Sequence, residues 1–322
     1  MSLEVLTYSD AHAGAWDGLC ACAVNGTWLH TRRFLAYHGT RFEDASVLVH
    51  ADGALVGVFP AARAPQNPTQ VISHPGATYG GLVHAGWLSG ARMLDALALL
   101  GKHYRRQGYA HLIYKPLPYA YAGVPSQDDL YALFRLHGER MRCDLSCTID
   151  LARRQPASQR RQRSLRKARR TVTVVADKAH LERFWSVLSA TLTQRHSATP
   201  THSLAELNQL HALFPEQIQL RCALVNGQVE AGVLLFNSPL VWHAQYIASS
   251  PAGQAAGALD AVFEQLFEEA ARSGARYFDF GISNEQGGWH LNEGLYRFKH
   301  EFGGGGMVHE HYRLDLTQIS AP

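Results

Sequence analysis

The 322-residue chain has few cysteines and no long apolar run, and each shortage removes a class of protein. Of its five cysteines, Cys20 and Cys22 are two apart, Cys143 and Cys147 four apart, and Cys222 stands alone. That spacing offers neither the paired CxxC sets of a zinc site nor an even disulfide framework, so reduced cysteines serving as small core residues are expected. No stretch approaches the roughly 18 to 20 apolar residues that cross a bilayer. The opening Met1-Ser2-Leu3-Glu4-Val5 carries no basic flank and no apolar signal core. The expectation is a cytoplasmic protein without membrane insertion. Acid is missing from one segment: Arg153 to Arg170 holds nine Lys or Arg and no Asp or Glu, although the chain is only +3 overall. Basicity so localised argues against a general nucleic-acid coat.

What is present is an ordinary globular composition, 46% hydrophobic and 18% charged, in a length that suits two domains of about 150 residues each. The second half reads as a strand at Thr171–Ala176, a helix at Ala179–Arg195 and a second helix opened by the capping box Ser203-Leu204-Ala205-Glu206. Strands Ile218–Val225 and Val229–Asn237 flank an Asn226-Gly227 hairpin turn, and a third strand covers Leu240–Ala248. Helix Gln254–Arg272, strand Tyr277–Phe280, helix Leu291–Glu301 and strand Met307–Leu314 follow, with Gly303–Gly306 a loop. The first half repeats this order. Strand Leu3–Tyr8, a helix from Asp10 to Val24 and a short helix Thr31–Tyr37 precede strands Ala45–His50 and Ala54–Ala62 around Asp52-Gly53. Next come an extended, glycine-broken strand Ile72–Val83, helix Gly90–Arg106, strand Ala110–Lys115, helix Gln127–His137 and strand Cys143–Leu151. Leu94-Asp95-Ala96 recurs as Leu259-Asp260-Ala261 at the start of the matching helix. Ten elements in one order twice indicate an internal duplication.

That element order is similar to that of the GNAT acyltransferase superfamily, and two copies resemble the Fem-type peptidyltransferases. The most specific stretches are Tyr277-Phe278-Asp279-Phe280-Gly281-Ile282-Ser283 and Leu291-Asn292-Glu293-Gly294-Leu295-Tyr296-Arg297-Phe298-Lys299-His300-Glu301-Phe302-Gly303, with Arg166-Lys167-Ala168-Arg169 before the second repeat. The resemblance implies an α/β (α+β) chain of two tandem GNAT-like domains, each a mixed central sheet flanked by helices. Residues 1–151 would form the acceptor side, 152–170 a basic linker helix and 171–322 the donor side.

In such folds the strand before the main helix splays from its neighbour, and the helix N-terminus receives the pyrophosphate of coenzyme A, since unpaired N–H groups and the positive dipole end favour phosphate. Ser249, Ser250, Gly253, Gln254, Gly257 and Ala258 are the candidates here. Gln254-x-x-Gly257 resembles the superfamily's Q/R-x-x-G-x-G/A pattern, with Leu259 in place of its last small residue. Acyl transfer to an amine needs a neutral amine, a stabilised carbonyl oxygen and a protonated leaving group, and no covalent nucleophile. His196 and His202 are candidate bases, since histidine titrates near neutrality. Asp279 ends a core strand, Glu293 and Lys299 lie on the following helix, and the resemblance sets Lys299 toward the donor's carbonyl or phosphate. Tyr246 is a candidate leaving-group acid. His74, Tyr79, Gly80, Lys115 and Asn292 are candidate substrate contacts, Lys115 suiting an anionic acceptor such as a nucleotide sugar.

Three functions follow. The first is an N-acyltransferase moving an acyl group from acetyl-CoA or another acyl-CoA to an amine of a small or sugar-linked acceptor, in cell-surface polysaccharide or cell-wall biosynthesis. The second is a Fem-type aminoacyltransferase charged by aminoacyl-tRNA, whose phosphates the basic helix Gln159–Arg170 would meet; the alternative for that helix is a solvated linker. The third is a non-catalytic binding or scaffold protein. No metal is expected, His309-Glu310-His311 lacking a third ligand. A homodimer is compatible with all three.

Overall fold

The computed structural model describes residues 2–196 and 199–319, without the side chains of 194–196. In chain order, β1 (Leu3–Thr7), α1 (Ala13–Cys22), α2 (Arg32–Leu35), β2 (Val47–Ala51), β3 (Ala54–Phe59), β4 (Ala62–Ala64), β5 (Asn67–Ile72), β6 (Val83–His84), α3 (Ala91–Arg106), β7 (His111–Tyr114), α4 (Asp128–Arg135) and β8 (Glu139–Asp150) come first. Then follow α5 (Gln159–Ala168), β9 (Val172–Val175), α6 (Leu181–His196), α7 (Leu204–Leu213), β10 (Ile218–Val225), β11 (Gln228–Asn237), β12 (Val241–Ser249), α8 (Pro251–Ala256), α9 (Ala258–Arg272) and β13 (Tyr277–Ile282). The two-stranded pair β14 (Asn284–Glu285) and β15 (His290–Leu291), then α10 (Glu293–His300) and β16 (Gly305–Asp315), complete the chain.

These elements make two compact units that are not successive blocks of sequence. The first takes residues 1–144, 284–290 and 308–322; the second takes 145–283 and 291–307. The division falls inside β8 and β16. In the first unit the strands run β1-β2-β3-β6 and β4-β5-β7-β16. Its core sits under α3, whose Met93, Ala96, Leu97, Leu100 and Tyr104 recur at helical spacing and pack with Val47, Val49, Phe59 and Leu314. Asp52 and Gly53, at φ 47° and 83°, form the two-residue turn in which both residues are left-handed, which is why Asp-Gly stands there.

In the second unit the order is β8-β13-β12-β11-β10-β9, antiparallel except for the parallel pair β12–β13. Asn226-Gly227 turns β10 into β11 in the same left-handed geometry. α9 covers one face with Val262, Phe263, Leu266, Phe267 and Ala270, against Val233, Leu235, Ala244, Phe278 and Phe280. Phe263 lies 4.8 Å from Phe280 and 4.9 Å from Phe302 in tilted ring contacts, so burial is reinforced by aromatic geometry. The mixed sheets flanked by helices are the fold class expected from the element order.

The expected strand Ala54–Ala62 is split into β3 and β4, and β5, β14 and β15 stand where no strand was expected; three further departures involve glycine. Residues 73–82 are a loop, because Pro75-Gly76 and the left-handed Gly81 (φ 91°) break any ladder between β5 and β6. The single helix expected over Gln254–Arg272 is two, α8 and α9, divided at Gly257 (φ 74°). Gly305 and Gly306, expected in a loop, begin β16; a glycine weakens a strand but does not forbid it.

Candidate active site

Two irregularities of the second unit's sheet lie along β12. Its parallel pairing with β13 covers only Val241↔Tyr277, Trp242↔Phe278 and His243↔Asp279. On its other edge it stays paired with β11 as far as Ala231↔Ser249. Beyond His243 the two parallel strands therefore part, leaving an opening between them. β12 also carries a bulge: Leu234 opposes Tyr246 and Leu235 opposes Ala244, so Gln245 has no opposite number. The extra residue shifts the side-chain alternation. Ala244 faces the core under α9, as does Ile247, whereas His243 and Tyr246 come to lie together on the opposite face.

His243 is fixed by Asp279. Its Nδ1 lies 2.9 Å from Asp279 Oδ2. The carboxylate is fully buried, and its Oδ1 also accepts from Ser146 Oγ, Thr148 Oγ1 (3.0 Å) and the Gly281 amide (3.2 Å). Gly281 is left-handed at φ 75°, and a Cβ there would stand 3.2 Å from His243 Cε1. Lys299, on α10 and buried, locks the same turn by donating to the carbonyls of Gly281 (2.9 Å) and Ile282 (2.7 Å). Burial draws its ammonium down to about 8, against the opposing pull of Asp279 and Cys147.

Three residues on, Tyr246 meets His202. The phenol oxygen is 2.7 Å from His202 Nδ1 and accepts the His202 amide at 3.1 Å. Trp185 stands edge-on to the tyrosine at 5.4 Å, and Phe236 lies beside the histidine. Burial raises the Tyr246 pKa, so the hydroxyl stays protonated at neutral pH. Two candidates far apart in sequence are thus in hydrogen-bond contact. The side chain of His196 lies outside the described residues. Glu293 is exposed in the first turn of α10, and Asn292 caps that helix, accepting the Leu295 amide at 3.0 Å.

At the open end of β12 is a cavity of about 570 Å³. Ser249, Gly253, Gln254, Gly257, Ala258 and Asn292 line it, together with Arg160, Arg161 and Ser164 of α5. Ser250 lies just behind: its Oγ accepts the Gly253 amide at 3.0 Å, capping α8, and donates to Glu230. Gly253 must be glycine, since a Cβ would fall 2.4 Å from the Glu230 carbonyl oxygen. Arg161 is buried, pairs with Asp260 at 3.3 Å and lies over Phe298 and Phe302. Arg160 is exposed and bound to Glu301 at 2.6 Å.

The candidates of the first unit form a separate cluster. Lys115 Nζ is buried and donates to the carbonyls of His74 (2.9 Å) and Ala77, pinning the 73–82 loop; burial, then nearby Arg142, brings its pKa down to about 7. His74 stacks on His38 at 4.8 Å. Tyr79 lies 5.0 Å from Tyr121 and 5.5 Å from His30, and Gly80 donates to the Lys115 carbonyl at 3.0 Å and accepts from His30 Nε2 at 3.1 Å. Among the described residues no group of three or more His, Cys, Asp or Glu is placed to hold a metal, and no helix is long and apolar enough to cross a membrane.

Residues 152–300 match the acetyltransferase (GNAT) domain family. No curated protein matches the chain in sequence. Among solved structures the chain is similar to FemX, at a TM-score of 0.69 and 13% identity over 98% of both chains. It is also similar to L-PGS from Bacillus licheniformis (TM-score 0.58, 11% identity, 88% of this chain and 89% of that one). A tandem GNAT protein from the clavulanic acid biosynthesis pathway aligns at 0.52 and 10% identity over 98% and 99%. The fold is tandem GNAT and Fem-like.

Sequence reasoning missed His243, Ser146 and Thr148. Sheet pairing brings Asp279 beside His243 and Thr148, and the bulge puts His243 on the face of Tyr246; neither is written in local sequence.

Proposed function

We propose that the protein is an N-acyltransferase that takes an acyl group from acyl-coenzyme A and places it on the amine of a small or sugar-linked acceptor. The cavity at the open end of β12 carries this reading. It is bounded by two arginines and by the glycine-bearing start of α8 and α9, the chemistry that accepts a phosphorylated donor. From Ser249 back to His243 the bulged strand spans five residues of β11, roughly 17 Å at about 3.3 Å per residue, so a donor anchored in the cavity through a long arm delivers its acyl carbon to the parted strands. There Tyr246, protonated and oriented by His202, is placed to protonate the leaving thiolate. The likeness to FemX and L-PGS supports an acceptor destined for the cell envelope.

A second donor is favoured by two observations. Arg163, Arg166, Arg169 and Arg170 are exposed and pair with no carboxylate among the described residues. The Glu230 carboxylate at Ser250 stands where a pyrophosphate would approach α8. Both suit aminoacyl-tRNA, whose phosphates would lie on α5. Incubating the protein with acetyl-coenzyme A or aminoacyl-tRNA and a panel of primary amines, including glucosamine and amino-sugar nucleotides, tests the reading. Amide product with acetyl-coenzyme A, reduced about tenfold or more by Arg160→Glu, is expected. Product from aminoacyl-tRNA alone would reassign the donor, and none from either would leave a binding protein.

A further inference from the structure

We infer that Asp260 sets the donor specificity of the cavity at the open end of β12: it is a built-in anion that offsets Arg161 and holds down the affinity for phosphate, so that spent donor can leave. This rests on the acyl-donor reading above. Asp260 is the one carboxylate among the described residues that line this cavity. It stands in the first turn of α9, where the helix dipole favours negative charge. Its side chain is buried, both of its oxygens lie 3.3 Å from Arg161 Nη1, and Ser164 Oγ donates to Oδ2 at 2.8 Å. A guanidinium stays protonated, so the buried Arg161 requires this counter-charge. Ser164 backs against Gly257, where a Cβ would stand 2.5 Å from its Oγ. The counterpart of Asp260 in the repeated Leu-Asp-Ala triplet, Asp95 on α3, is exposed. A buried acid at this turn is therefore no requirement of the repeated fold.

Arg161 has little charge left to offer a ligand. Its Nε lies 3.3 Å from a Glu301 oxygen, and its guanidinium carbon sits 4.3 and 4.6 Å from the ring centroids of Phe298 and Phe302. Arg160 is bound to Glu301 as well, at 2.6 Å. Two guanidinium groups and two carboxylates thus face one another at this end of the cavity, and their charges cancel. An incoming phosphate draws mainly on Arg160, whose side chain is exposed. The phosphates of coenzyme A are the same in acyl donor, transition state and spent thiol. Energy gained on them is uniform binding, which retards release without speeding the chemical step. A carboxylate beside Arg161 lowers that shared affinity and leaves recognition to the rest of the donor.

Calorimetric titration of the full chain with acetyl-coenzyme A, with pantetheine (the same arm without phosphate) and with inorganic pyrophosphate tests the assignment. Asp260→Asn should tighten acetyl-coenzyme A and pyrophosphate about fivefold or more at low salt, less at moderate salt, and leave pantetheine unchanged. Glu264→Gln removes a charge one turn further along α9, where Glu264 pairs with Arg154 at 3.0 Å outside this cavity, and should leave all three unchanged. Acetyl-coenzyme A bound no tighter by Asp260→Asn, or tightened as much by Glu264→Gln, would overturn the inference. A second arm needs no variant, so it stands even where Asp260→Asn does not fold. Millimolar pyrophosphate should leave acetyl-coenzyme A bound to the wild type, and displacement below millimolar concentration would overturn the inference. If the wild type ignores acetyl-coenzyme A while Asp260→Asn acquires pyrophosphate binding, the acyl-donor reading alone fails. Silence of both proteins toward every probe overturns both.

Discussion

Burial sets the chemistry of several single side chains in this molecule. Lys299 is the clearest case: an ammonium held among backbone carbonyls, with its pKa drawn from 10.5 to about 8. The unfolded chain binds that proton more tightly than the folded one. Stability is therefore diminished while the lysine is charged in both states, and recovers as pH rises from about 8 toward 10.5. Lys299→Met removes that recovery. Between pH 8 and pH 10 the stability of the wild type relative to Lys299→Met should rise by about 2 kcal/mol in urea unfolding; a constant difference would mean that the lysine is not held as described. Residues of this kind were legible by type and only partly by role. Asp279, Lys299, Tyr246 and His202 stood out in the sequence, but their partners did not. Pairing of Asp279 with His243 depends on a strand register, and pairing of Tyr246 with His202 on how the segment before α7 returns to the sheet. Neither leaves a local signal.

Elements were more readable than contacts. β10 lies where its apolar pattern placed it, and the Ser203 capping box and both Gly-bearing hairpin turns formed as their sequences required. The failures share a cause. Gly257, read as an interior helical residue, is left-handed and lies against α5; the proximity of α5 is a tertiary fact. A Cβ at Gly257 would stand 2.5 Å from Ser164 Oγ and 2.9 Å from its carbonyl oxygen, while one at Gly227, also left-handed at φ 77°, would touch nothing within 4 Å. Gly227→Ala should cost about 1 kcal/mol from backbone conformation, and Gly257→Ala roughly 2 kcal/mol more as α5 is pushed off. Equal losses in chemical denaturation would contradict that close approach.

At the scale of the molecule, each compact unit has its own core, and the second combines a cavity with the parted strands β12 and β13. The tandem GNAT, Fem-like fold was readable from the element order of the sequence, and an order survives where side-chain identities do not. Which chain segments close each unit was not readable, since β8 and β16 each contribute to both. The cavity beside Ser249 and Gly257 is the proposed seat of the acyl donor. Calorimetric titration with acetyl-coenzyme A, at low and at moderate salt, tests it most directly. Micromolar binding that weakens with salt and falls about tenfold or more in Arg160→Glu is the predicted result. An absence of binding at millimolar ligand, or binding indifferent to Arg160, would contradict it.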